Sequence, residues 1–261
     1  MSELFIRNPH SILAALKSRP KEVLEITLPK DKKDDVWDEI EALAIEHRIR
    51  NGGAGGGGGG RGDSRRSSGR NDTRDRGERS QPVAGGRESG HGATIKPKAP
   101  ISIEDLFDGI DTSTRGVWLA LDSLQDPQNI GAIFRASAFF GIKGIILTQE
   151  RSAPMTGTVY DIASGGVDCV PYVSVVNLQR AFEKAKDAGL WILGTSEHEK
   201  QSVKTLKNDR PWLLVMGNEE KGIRRLTEES CDMMCTIPNA GGGVTSLNVA
   251  VATGILLSHL T

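Results

Sequence analysis

Three short segments gather polar side chains and glycine where packing alone does not call for them. The first runs Leu121-Asp122-Ser123-Leu124-Gln125-Asp126-Pro127-Gln128-Asn129-Ile130-Gly131-Ala132-Ile133-Phe134-Arg135-Ala136. If a helix begins near Asn129, that amide and the guanidinium of Arg135 both lie within its first two turns. The ordinary reading makes Asn129 a helix cap and Arg135 a solvated charge. Against it, Arg135 sits among Ile133, Phe134, Ala136 and Ala138, a poor setting for an idle arginine. The second segment, Val215-Met216-Gly217-Asn218-Glu219-Glu220-Lys221-Gly222-Ile223, runs from an apolar stretch into Gly-Asn-Glu. Such a tight loop leaves backbone groups open to a ligand, although by itself it also reads as a turn with solvated acids. The third, Ile237-Pro238-Asn239-Ala240-Gly241-Gly242-Gly243-Val244-Thr245-Ser246-Leu247-Asn248-Val249-Ala250-Val251-Ala252, opens a triple glycine into a helix. That resembles a phosphate cradle. It lacks the lysine of a Walker loop, and no dinucleotide-binding glycine pattern follows the first strand of this region. Ser246 reads as an N-cap, whereas Asn248 falls inside the expected helix beside small residues, where packing does not explain it.

The elements that must position these segments form a regular alternation from about Gly116 onward. Val117–Leu121, Gly144–Leu147, Cys169–Val175, Leu190–Gly194, Trp212–Met216 and Met233–Ile237 read as strands. Ile130–Phe140, Leu178–Ala188 and Ser246–Leu260 read as helices. Near-continuous apolar strands between helices predict a parallel sheet covered on both faces. In such sheets ligands bind beyond the carboxyl ends of the strands, where all three segments begin. Ahead of this region, residues 1–49 read as a β-α-β-α unit: Leu4–Ile6, a helix from Pro9, Val23–Leu28, and a helix over Asp34–His47. Residues 51–92 interrupt it with glycine and arginine. Nine arginines fall between Arg50 and Arg87 in a tract almost without apolar side chains. The tract is expected to be disordered, because it cannot bury enough apolar surface to offset its backbone entropy. It is either a solvated linker or an arginine-rich arm that touches RNA phosphates.

Composition excludes several classes. The 261 residues carry a net charge of −1, so the chain is not a globally basic nucleic-acid binder and any polyanion contact is local. No apolar run approaches the roughly 18 residues of a membrane-spanning helix. The start, MSELFIRNPH, lacks the unbroken apolar stretch of a signal peptide, so a cytoplasmic location is expected. Three cysteines (Cys169, Cys231 and Cys235) suit a reducing compartment better than a disulfide framework, and five scattered histidines give no zinc spacing.

Taken together and in this order, the three segments resemble the motifs of the SpoU (TrmH) family of RNA ribose methyltransferases, within the SPOUT superfamily. The likeness covers residues 115–261, with motif 1 at Asp126–Ala136, motif 2 at Met216–Ile223 and motif 3 at Ile237–Ala252. Arg151-Ser152-Ala153, Arg224-Arg225-Leu226-Thr227 and Val251-Ala252-Thr253-Gly254-Ile255 are most similar to the bacterial branch that modifies a guanosine ribose in large-subunit rRNA. Residues 1–98 resemble that branch's small α/β RNA-binding domain, closed by a strand at Gly92–Lys96 and interrupted at 51–90. A linker at 99–114 precedes the methyltransferase domain at 115–261.

The resemblance implies an α/β fold with a parallel sheet, helices on both faces and a C-terminal trefoil knot, assembled as a homodimer. It implies S-adenosylmethionine as methyl donor, held near Thr195, Met216, Gly217, Asn218, Ile237, Ser246 and Leu247. It places the catalytic group at Asn129, Arg135, Glu219, Ser246 and Asn248, with RNA as partner, rRNA before tRNA, and with no membrane. In the implied reaction a ribose 2′-oxygen displaces the methyl of a sulfonium, a leaving group already activated by its charge, so no metal is called for. A guanidinium keeps its proton in proteins, with a pKa above ~12, so Arg135 is read as stabilising the emerging alkoxide and fixing the neighbouring phosphate. Three departures from the family pattern stand out: a glycine loop one residue longer, Ala250 where serine is common, and the 51–90 tract. The alternatives are a tRNA ribose methyltransferase, a base methyltransferase, and a catalytically silent RNA-binding or ribosome-assembly protein on the same fold.

Overall fold

The computed structural model describes residues 3–30, 34–52, 90–111, 113–196, 198–218 and 222–261. Most of the glycine–arginine tract, and the expectation of disorder made for it, lie outside these residues.

The N-terminal unit follows the expected order. Strand β1 (Leu4–Ile6) leads to α1 (Pro9–Ser18), which starts where the Asn8 side chain accepts from the backbone N–H groups of His10 and Ser11, with Pro9 preset for the first turn. Strand β2 (Val23–Thr27), helix α2 (Asp35–Glu46) and the short β3 (Arg50–Asn51) follow, and β4 (Gly92–Ile95) closes the sheet. The strands lie in the order β1-β4-β2-β3, with β4 antiparallel to both β1 and β2 and with β2 parallel to β3.

Within the stretch expected as a linker, Ile103–Phe107 form a short helix, α3, whose Leu106 and Phe107 are buried. The region beyond contains β5 (Gly116–Leu121), α4 (Pro127–Phe139), β6 (Gly144–Thr148), α5 (Gly157–Ala163), α6 (Gly166–Cys169), β7 (Tyr172–Val175) and α7 (Leu178–Asp187). It continues with β8 (Trp191–Thr195), β9 (Pro211–Met216), α8 (Arg225–Glu229), β10 (Met233–Cys235) and α9 (Val249–Leu260). Six strands make one sheet in the order β10-β8-β9-β5-β6-β7, and every neighbouring pair is parallel. Alternation along β5 fills both faces: Val117, Leu119 and Leu121 pack with Ile130, Ile133 and Phe134 of α4, while Trp118 and Ala120 pack with Phe182 and Ala185 of α7. The apolar stripe of α7, Leu178, Ala181, Phe182 and Ala185, has the expected helical spacing, and Asn177 caps it. A Cβ on Gly131 of α4 would lie 2.8 Å from both the Ile162 Cβ and the Val159 carbonyl oxygen, so α5 lies too close to α4 for any side chain there.

One strand expectation is corrected. Residues 166–169 form a helical turn and not the start of a strand, which begins only at Tyr172. The ammonium of Lys98 donates to the carbonyl oxygens of Val167, Asp168 and Val170 at 2.9, 3.1 and 3.0 Å. A cation distant in sequence thus satisfies the end of the turn, which an apolar pattern cannot reveal.

The same turn belongs to the joint between the two sheets. Arg7 and Asn8 donate their backbone N–H groups to Asp161 at 2.7 and 2.8 Å, and the Ser11 hydroxyl donates to the Tyr160 carbonyl at 2.6 Å. Arg19 donates through Nε to Asp168 at 2.6 Å, where the carboxylate side chain is 1% exposed. Burial pushes the Asp168 carboxyl upward, opposed by Arg19. The Arg19 guanidinium is itself raised, because the bond to Asp168 and its charge outweigh burial. Burial also raises the Tyr160 hydroxyl and lowers the Lys98 ammonium.

Candidate active site

Because the strands are parallel and in register, their carboxyl ends share one edge. Leu121 of β5 pairs with Met216 of β9 and with Leu147 of β6, and Thr195 of β8 pairs with Cys235 of β10. The first two polar segments therefore leave the sheet from neighbouring strands, β5 and β9, and the third leaves the same edge from β10, beyond β8.

Helix α4 starts earlier than expected. Asp126 caps it by accepting from the Gln128 N–H at 2.8 Å, with Pro127 in the first turn. Asn129 is thus not the cap but a buried residue inside the helix, 8% exposed. Its carboxamide oxygen accepts from the Asn248 Nδ2 at 2.9 Å. Asn248 in turn is the N-cap of α9, accepting from the Ala250 and Val251 N–H groups at 2.9 and 3.3 Å. The expectation of a helix from Ser246 with Asn248 inside it is corrected by this geometry. An Asn side chain that takes the first free N–H groups fixes the start, and Ser246 stays exposed in the preceding loop. Motif 1 and motif 3 are thereby joined by one amide–amide hydrogen bond across 119 residues.

Arg135 lies on the exposed side of α4, and no hydrogen bond or ion pair to another described residue holds it. It lines a shallow groove of about 340 Å³ with Ala132, Ala136, Phe139 and Ile162. The Phe139 side chain there is 83% exposed.

The residues expected to hold the donor lie at and beyond the carboxyl ends of β8, β9 and β10. Met216 is buried at the end of β9, and the backbone groups of Asn218 exchange hydrogen bonds with those of Gly222 at 3.0 and 2.9 Å. A Cβ on Gly217 would meet the Gly222 carbonyl carbon at 2.2 Å, so this corner admits only glycine. Glu219 falls outside the described residues. The Thr195 hydroxyl donates to the Val215 carbonyl at 3.2 Å, Ile237 is half-buried, and Leu247 is 49% exposed. Asn239 shapes the glycine loop, its Nδ2 donating to the Val244 carbonyl at 2.7 Å and its Oδ1 accepting from the Gly241 N–H at 2.8 Å. Residues 238–248 are exposed throughout, and the loop that they form follows the end of β10 at the same edge of the sheet.

Four further residues of the edge were not singled out as site residues. The fully buried Asp122 accepts from Arg224, Thr227 and Ser123, and Ser123 has a left-handed backbone with φ of 63°. An acid directly after an apolar strand is the available signal, but two of its three partners, Arg224 and Thr227, lie some hundred positions away.

Residues 116–258 match the model of the SpoU rRNA Methylase family. The chain is 32% identical over 255 residues to the 23S rRNA (guanosine-2'-O-)-methyltransferase RlmB of Pseudomonas aeruginosa, covering 96% of this chain and 93% of that protein. It is 33% identical over 261 residues to the RlmB of Vibrio vulnificus, covering 98% and 96%. Among solved structures, the SpoU methyltransferase AviRb from Streptomyces viridochromogenes in complex with AdoMet superposes with a TM-score of 0.72 at 19% identity, covering 99% of this chain and 89% of that one. An AdoMet-bound rRNA methyltransferase from Sinorhizobium meliloti gives 0.67 at 19% identity, covering 99% and 86%.

Proposed function

The chain belongs to the SpoU rRNA methylase family, and from that premise we propose that it methylates the 2′-hydroxyl of a guanosine ribose in large-subunit rRNA. It is an RNA methyltransferase that uses S-adenosylmethionine, whose sulfonium supplies an electrophilic methyl group. The observation that carries the site assignment is the Asn129–Asn248 hydrogen bond, which brings two of the three motifs to one point beside the helix bearing Arg135.

A ribose hydroxyl is a weak acid, so the emerging oxyanion must be stabilised or its proton accepted. Arg135, exposed on α4, pairs with an RNA phosphate and holds the developing alkoxide. The amides of Asn129 and Asn248 lock each other's orientation and present the ribose to Arg135. Glu219, which lies in sequence between the paired Asn218 and Gly222, orients the substrate, and Ser246 completes the catalytic group. Thr195, Met216, Gly217, Asn218, Ile237, Ser246 and Leu247 hold the donor.

The reading includes a C-terminal trefoil knot. In its support, the chain crosses β8 on passing from β9 to β10 and then returns from that sheet edge to α9, which packs on α4 and β5. It also includes a cytoplasmic homodimer, supported by the apolar, exposed Phe139 and Val251 on the two helices that flank the site. Residues 1–98 serve as the RNA-binding part and 115–261 as the methyltransferase part.

The test uses purified protein, methyl-labelled S-adenosylmethionine, and unmodified rRNA or tRNA, with Arg135→Ala as control. Label in an alkali-resistant dinucleotide from rRNA, lost in the variant, is the expected result. Label in ordinary mononucleotides would replace it with base methylation, and label from tRNA alone would change the substrate.

A further inference from the structure

We propose that Asp122 and Arg224 are a positioning pair that fixes Gly217 and Asn218 against the methyl donor from the side of the sheet away from Arg135. The inference rests on the methyl-transfer reading above, since those two residues are among the ones assigned to the donor.

Asp122 directly follows the buried strand β5 and is 0% exposed. A buried carboxylate persists only where its acceptor sites are filled. Here all of them are. Arg224 donates through Nε to Oδ2 at 2.9 Å, and its Nη2 lies 2.7 Å from Oδ1. The Thr227 hydroxyl donates to Oδ2 at 2.9 Å and the Ser123 hydroxyl to Oδ1 at 3.0 Å. The two-point guanidinium–carboxylate contact fixes direction as well as distance.

The pattern of partners separates this from a merely structural ion pair. Arg224 and Thr227 follow residues 217–223 in the sequence. At the start of that stretch the Asp122 N–H donates to the Met216 carbonyl at 2.9 Å, and the Asn218 Nδ2 donates to the Ser123 carbonyl at 3.1 Å. Two adjacent residues thus hold Met216 and Asn218 on one side and Arg224 and Thr227 on the other. Ser123 pays for that grip with a left-handed backbone (φ 63°), held by its N–H on the Thr148 hydroxyl at 3.2 Å. Strain of this kind persists where surrounding contacts over-determine it, and it gathers at functional sites. Alternation along β5 also directs Asp122 to the face of Trp118 and Ala120, whereas Asn129 and Asn248 meet on the α4 side.

The Arg224 side chain is 48% exposed, which leaves room for a small cation to take its place. The experiment compares Arg224→Ala, Arg224→Lys, Thr227→Val and Asp122→Asn with the wild-type chain. It measures affinity for S-adenosylhomocysteine by calorimetry, the separate KM values for donor and RNA, kcat and thermal midpoint. For Arg224→Ala the expected result is a loss of about 100-fold in kcat/KM for the donor, the size of a misplacement near 1 Å, with the RNA KM unchanged. Added guanidinium restores part of the donor affinity in Arg224→Ala and none in Asp122→Asn. Unchanged donor affinity and kcat in Arg224→Ala would overturn the proposal, as would a loss that follows the thermal midpoint and resists guanidinium. If Arg224→Ala does not fold, Arg224→Lys and Thr227→Val decide the matter by the same split between donor and RNA. If the wild-type chain binds S-adenosylhomocysteine yet methylates no ribose, the methyl-transfer reading fails while the donor affinities still judge the pair.

Discussion

The carboxyl edge of the parallel sheet and the joint between the two sheets hold their polar groups in opposite ways. At the edge, Arg135 is exposed with no described partner, the 238–248 loop is open to solvent, and one hydrogen bond ties Asn129 to Asn248. At the joint, Arg19 and Asp168 are buried together, and Lys98 gives its ammonium to three carbonyl groups. The Arg19 Nη2 and Asp168 Oδ2 nevertheless remain buried without a hydrogen-bond partner among the described residues. The difference teaches where each region's free energy goes. The edge keeps Arg135 and the 238–248 loop open to solvent, as the proposed substrate site requires, whereas the joint turns charge inward to fix the N-terminal sheet on α5 and α6. Substitutions at the edge should therefore cost rate, and those at the joint should cost stability.

Arg135→Ala is the sharpest way to break that contrast. Losing a group that stabilises developing negative charge lowers kcat by about 100- to 1000-fold. The urea midpoint should stay where it is, because no described hydrogen bond or ion pair is lost. A large fall in stability would mean that Arg135 belongs to the framework. Next in size is Asp168→Ala, which takes the buried carboxylate from a guanidinium that is 12% exposed and leaves Glu22, 2.6 Å from its Nη1, as its remaining described ion-pair partner. A loss of about 3 kcal/mol is expected from denaturant unfolding, with kcat per folded molecule preserved. The paired change Arg19→Met with Asp168→Leu should recover most of that loss, since apolar groups can replace a buried ion pair.

Asn248 sharpens the contrast because it does both jobs. Asn248→Ala removes the α9 cap at a cost of about 1 kcal/mol and also breaks the tie to Asn129, so both readouts fall. Asn248→Asp keeps the accepting oxygen for Ala250 and Val251 but loses the Nδ2 donor. Stability should hold while the methylation rate drops, and a variant that keeps its rate would limit Asn248 to capping.

The smallest effect is a difference among thiols. Burial pushes Cys231 and Cys235 up to about 12 from an ordinary value of 9.0. A raised acid keeps its proton in the folded chain while the unfolded chain gives it up. The stability these thiols contribute is therefore complete below pH 9 and lost as the pH climbs toward 12. At pH 8, iodoacetamide should label the exposed Cys169 of the joint first and reach the other two only on unfolding.

Much of this was legible in the chain itself. The strand–helix alternation beyond Gly116 and the stripe of α7 follow from periodicities that any short window displays. The segments bearing Asn129, Arg135, Asn218 and Asn248 could be read at the ends of strands because glycine and polar residues break an apolar pattern there. Helix starts were less legible: Asp126 and Asn248 won the caps over Asn129 and Ser246 by geometry that residue type alone does not rank.

The sequence by itself determined local structure, the family motifs and the type of chemistry, because these depend on neighbours a few residues apart. Only the tertiary structure decided which motifs touch. It set Asn248 on Asn129, closed Arg224 on Asp122 and buried Arg19 against Asp168, pairs separated by 119, 102 and 149 residues. A buried charge is stable only beside its partner, and that partner is chosen by how strands stack in the sheet. No window of the sequence contains that information.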